Sequence, residues 1–90
     1  MKNLIALRTL SQVPYSMLAK LLNANSYMIR IYEAGRMRMP AEECEMLSKM
    51  FRVEREKIQN SKLEFTEEDI QKLINISKMT DEDKLKSLAS

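Results

Sequence analysis

The chain of ninety residues has no histidine and no tryptophan, one cysteine, one glycine and two prolines. Without histidine it lacks the commonest transition-metal ligand and the usual general base, and Cys44 has no partner for an internal disulfide. Apolar runs stop at three or four residues, too few for a transmembrane helix, and the start Met1-Lys2-Asn3-Leu4 lacks a signal peptide's apolar region. A cytosolic location without membrane contact is the resulting expectation. No G-x-G-x-x-G, phosphate loop, H-E-x-x-H or Ser/His/Asp set occurs, so neither an enzyme nor a bound cofactor or metal is expected.

What is present is 44% hydrophobic and 31% charged residues, the balance of one small soluble domain with a modest core. The formal charge of +2 is close to neutral, but it is unevenly spread. Residues 1 to 38 carry six basic side chains against Glu33 alone, a local +5, while residues 39 to 90 sum to −3. That asymmetry predicts a basic front and an acidic back.

Apolar residues recur every three or four positions almost throughout, and strict alternation is scarce, so the chain reads as all-α. Asn3 is placed to cap a first helix striped by Leu4, Leu7 and Leu10. Pro14 suits the first turn of a second helix, with Met17, Leu18, Leu21 and Leu22 inward. After Asn23, Ala24 and Asn25, either Asn25 or Ser26 can cap a third helix, which turns Ile29 or Met28, with Tyr32, to the core. Gly35 ends that helix, because glycine enters the left-handed conformation without steric cost. Pro40 opens a fourth helix lined by Cys44, Leu47, Met50 and Phe51, and a short fifth over Glu54 to Gln59 buries Ile58. Cys44 reads as a small buried hydrophobe.

Beyond Ser61 the composition turns acidic. Thr66 with Asp69, and Thr80 with Asp83, have the spacing of helix N-terminal caps, and Ile70, Leu73, Ile74 and Ser77 form an apolar side. The division expected is a domain over 1–60 and a helical extension over 61–90 that serves as a dimerisation element, the alternative being that its apolar faces pack on the first five helices. The helical pattern is still running at Ser90, leaving room for the natural chain to continue.

Two short helices in tandem, closed by a glycine, suggest a helix-turn-helix. The residues add to this. The run from Leu4 to Ile58 resembles the lambda-repressor-like, Cro and XRE family of DNA-binding domains: Leu4 and Arg8, Leu18-Ala19 and Leu22, Ile29, Tyr32-Glu33 and Gly35, then Arg36, Arg38, Pro40, Phe51 and Val53. The resemblance implies a five-helix domain that binds double-stranded DNA as a transcriptional regulator, often a repressor, in dimeric form. It assigns base contacts to Ser26, Tyr27, Met28, Arg30 and Ile31 on the third helix, and phosphate contacts to Tyr15, Asn25, Arg36 and Arg38. Arg30 is the best suited chemically, since a guanidinium can bond guanine O6 and N7 together. Glu33 is expected to be a structural partner of a basic group such as Arg8. Where relatives commonly have Ser then Gln, this chain has Pro14 and Tyr15, and its third helix carries Tyr, Met and Ile where Gln, Arg or Ser is frequent. The alternative reading is therefore a protein-interaction module, such as an antitoxin component, that binds its partner through Tyr27, Met28 and Met37.

Overall fold

Residues 1–90 are all described in a computed structural model of the chain. Seven helices make up the fold and there is no strand: α1 Lys2–Ser11, α2 Tyr15–Leu22, α3 Ser26–Glu33, α4 Ala41–Phe51, α5 Arg55–Gln59, α6 Glu67–Ser77 and α7 Asp81–Ala89.

Most helix starts follow from local chemistry. Pro14 and Pro40 occupy the N-cap positions of α2 and α4 in extended backbone. The Asn25 carboxamide oxygen accepts from the Met28 N–H at 2.9 Å and caps α3. Thr66 and Asp69 form a reciprocal capping box, whereas Thr80 accepts from Asp83 N–H without the return bond. Asn3, by contrast, is not the cap of α1. It lies inside the helix, buried, and its amide nitrogen donates to the carbonyls of Lys57 at 2.6 Å, Leu63 at 2.7 Å and, more weakly, Asn60 at 3.3 Å. The residue's donor group, not its acceptor, is what the fold uses.

The ends of α1 to α4 share one backbone device. After α3, Gly35 sits at φ +74°, its N–H bonds the Tyr32 carbonyl and the Arg36 N–H bonds the Ile31 carbonyl, the paired bonds of a Schellman motif. Gln12 after α1, Asn23 after α2 and Arg52 after α4 adopt the same left-handed backbone, with φ of 53°, 54° and 58°. In two of these turns the next residue, Val13 or Val53, is buried beneath the helix it follows.

One core unites the chain. Leu4, Leu7, Leu18, Ile29, Leu47, Phe51, Ile58, Leu73 and Leu88 are almost wholly excluded from solvent and belong to a single cluster. Removing side chains of this size from water stabilises by roughly 1.5–3 kcal/mol each. α6 packs along α1, and α7 packs against α2 and α4. The radius of gyration, 11.9 Å, is that of a compact domain of this length, about 12 Å, so residues 61–90 do not extend away. Of the two arrangements open for the extension's apolar faces, the molecule adopts packing on its own first helices. Within α6 the inward positions are Asp69, Leu73 and Ile76, with Ile70, Ile74 and Ser77 only partly covered; the stripe is rotated from the expected one because Asp69 faces Lys57.

Two cations, Lys57 and Lys84, fasten the extension alongside the Asn3–Leu63 bond and the contact of Lys72 Nζ with the Arg52 carbonyl at 3.1 Å. Lys57 Nζ meets Asp69 Oδ2 at 2.7 Å, joining α5 to α6. Burial alone would raise the Asp69 carboxyl, but the Lys57 ammonium and the bonds from Thr66 more than offset it and hold it below the ordinary carboxylate value. Lys84, a buried cation on α7, donates to the Gln12 carbonyl at 2.7 Å, at the electronegative end of α1.

Candidate nucleic-acid interface

α2 and α3 pack on each other across the short Asn23–Asn25 turn, and both are anchored by their inner faces. Met17, Leu18, Ala19 and Leu22 are buried on α2, and Ile29, Tyr32 and Glu33 on α3. The Tyr32 hydroxyl donates to Glu43 Oε2 at 2.9 Å, tying α3 to the first turn of α4. Burial, aided by that carboxylate, raises the Tyr32 phenol above its ordinary value.

The outer side of α3 holds the residues expected to read bases, and they are not equivalent. Tyr27 is 69% exposed and Arg30 is exposed, whereas Ser26, Met28 and Ile31 are half-buried, with Met28 packed against the core. Arg36 and Arg38 are exposed in the loop after Gly35. Asn25 uses its oxygen as the cap, which leaves its amide nitrogen unengaged within the chain.

Tyr15, to which the family resemblance assigns a phosphate contact, has its hydroxyl engaged within the chain: it donates to Glu33 Oε1 at 2.7 Å and accepts from Arg8 Nη2 at 3.0 Å. A phenol has one proton to give, and here it is engaged. Arg8 Nε meets Glu33 Oε2 at 2.6 Å, so the expected Arg8–Glu33 pairing is present with Tyr15 added to it. The Glu33 hydrogen bond raises the Tyr15 phenol above its ordinary range and, against the opposing effect of burial, raises the Arg8 guanidinium as well. The Tyr15 ring also receives two cations: the guanidinium carbon of Arg8 lies 3.9 Å from its centroid and that of Arg30 lies 4.9 Å away.

The cluster thus contains two guanidinium groups and one carboxylate. Arg8 is paired with that carboxylate, and Arg30 forms no salt bridge, so the surplus positive charge sits on the exposed member. Beside it, the first-turn N–H groups of α2 have no side-chain cap and add the partial positive charge of a helix N-terminus. A cluster of this kind can hold an anion or an electron-rich base edge.

No family model matches the chain, and neither a curated protein nor a solved structure does.

Elsewhere, Met1, Met37, Met39, Arg38, Cys44, Gly35 and Gln59 line a cleft of about 210 Å³. Burial pushes the Cys44 thiol above its ordinary value, partly opposed by Gln59, and so disfavours the reactive thiolate. No group of three or more His, Cys, Asp or Glu side chains is placed to hold a metal ion. No helix is long and apolar enough to cross a membrane.

Proposed function

We propose that this chain is a helix-turn-helix regulator of the lambda-repressor-like type, which binds double-stranded DNA as a homodimer and controls transcription by occupying a promoter. In this reading α2 lies across the phosphate backbone and α3 enters the major groove. The observation that carries it is Arg30: an exposed cation on the outer face of a short helix, unpaired with any carboxylate and adjacent to the uncapped N-terminus of α2. Tyr27 and Arg30 then face base edges, Ser26, Met28 and Ile31 supply closer contacts at the helix margins, and Asn25, Arg36 and Arg38 anchor phosphates. Because the apolar sides of α6 and α7 lie within the chain's own core, pairing of two copies uses outward-facing residues.

Selection of bound sequences from a random duplex pool, followed by salt titration, tests the proposal. Enrichment of a symmetric motif is expected, with affinity falling steeply as salt rises. Arg30→Ala relaxes the base preference, whereas Arg38→Ala weakens binding to all sequences alike and lowers the salt slope by about one. No enriched motif, with retention independent of salt, overturns it. The second reading, a module that binds a protein partner, is favoured by the exposure of Tyr27 at 69% and Met37 at 50%, and predicts association that salt hardly changes.

A further inference from the structure

Arg30 is a long side chain on the outside of an eight-residue helix, and its aim determines what it can recognise. Its guanidinium does not end in open solvent but 4.9 Å from the centroid of the Tyr15 ring. Tyr15 itself is held at its far end by Glu33 and Arg8, at 2.7 Å and 3.0 Å, so the ring is a fixed platform supplied by another helix. A guanidinium over an aromatic ring is attracted to its face, and no side-chain donor of Arg30 is spent on a hydrogen bond or salt bridge within the chain. The in-plane N–H edge of a guanidinium is what bonds guanine O6 and N7 in a bidentate pair. Arg8, which also touches the ring, has Nε and Nη2 engaged with Glu33 and Tyr15, so neither edge of its guanidinium offers a free pair of donors from two nitrogens.

We infer that Tyr15 is a positioning residue that sets base specificity through Arg30: its ring holds the guanidinium with the donor edge outward, preselecting one orientation for a guanine. The inference rests on the DNA-binding reading above and gives it a definite base and a division of labour, since Tyr15 acts on recognition without touching phosphate. It also gives the hydroxyl and the ring separate roles. The hydroxyl belongs to the Arg8–Glu33 pair, and the ring belongs to Arg30.

Tyr15→Phe and Tyr15→Leu both lose the hydroxyl, but only Tyr15→Leu loses the ring, so the comparison isolates the platform. On duplexes taken from the selected pool, with guanine at the Arg30 position or replaced, the unaltered protein and Tyr15→Phe are expected to keep the same preference for guanine. Tyr15→Leu loses roughly tenfold of it, as part of what a bidentate arginine contact supplies. In an Arg30→Ala background, Tyr15→Leu has no further effect on the preference. A preference that falls equally in Tyr15→Phe and Tyr15→Leu, or an effect of Tyr15→Leu that persists without Arg30, overturns the inference and leaves the DNA-binding reading standing. The unaltered free protein supplies a second measurement, independent of any variant's folding. The Arg30 Cδ protons are expected upfield of those of Arg36 and Arg38 in its NMR spectrum, from the ring current of Tyr15, and their absence upfield overturns the platform. A pool that yields no motif overturns the function and this role together.

Discussion

The side-chain amide of Asn3 donates to the carbonyl of Leu63, sixty positions later, at 2.7 Å. The same nitrogen bonds the Lys57 carbonyl at 2.6 Å, so one residue on α1 closes both the end of α5 and the loop that leads to α6. Asn3→Ala is expected to destabilise the fold by about 1–3 kcal/mol, the cost of leaving buried carbonyls without their donor. Urea unfolding monitored by circular dichroism measures it, and a change below about half a kcal/mol would show that water replaces the amide.

Acid should loosen the same region through Asp69. Its carboxyl titrates below the ordinary value of 3.8 in the folded chain, so its stabilising contribution is complete at pH values above that figure. The contribution is lost as pH falls below 3.8 and through the folded value. Asp69→Asn should therefore lower the melting temperature at pH 7, and the gap from the unaltered protein should close progressively in acid. A gap that stays constant down to pH 2 would contradict the assignment.

Two substitutions at helix ends should have opposite signs for the same reason. Gly35→Ala places a Cβ at φ +74°, where no neighbouring atom obstructs it, so its cost of about 1 kcal/mol is conformational alone. Arg52→Gly relieves a side chain already held at φ 58° and should stabilise by about 0.5–1 kcal/mol. Thermal unfolding of both variants checks the pair.

Leu88 is 1% exposed, packed into the common core by α7. Leu88→Ala should cost about 2–5 kcal/mol, and the midpoint shift should be the same at every protein concentration. A loss that shrinks as the protein is concentrated would place this side chain in an interface between copies.

Starts of helices were legible because their chemistry is local: Asn25, Thr66 and Thr80 bond N–H groups three residues on, and Pro14 and Pro40 fit only before or at a first turn. Ends were legible where Gly35, the Asn23–Ala24–Asn25 interruption or the polar run after Gln59 marked them. Gln12 and Arg52 occupy the same left-handed backbone as Gly35, yet nothing in their chemistry announces it. Polar residues with distant partners were the other blind spot. Asn3 has a capping residue's composition, but its three acceptors lie more than fifty positions away. At the candidate interface, Arg8 and Glu33 could be paired by charge, whereas the place of Tyr15 depends on how α2 lies across them. The resemblance places Tyr15 near phosphate by its position at a helix start; only packing reveals that its proton is given to Glu33.

Lys84 reaches back seventy-two residues to the carbonyl of Gln12, and its helix covers α2 and α4. During synthesis, then, the first five helices are complete while Leu73, Ile76 and Leu88 have yet to be added, and the faces they cover stand open. At about 5–20 residues per second the remaining stretch takes on the order of seconds. For that interval the nascent chain presents apolar surface to chaperones and to neighbouring chains, and the docking of α6 and α7 is what ends the exposure.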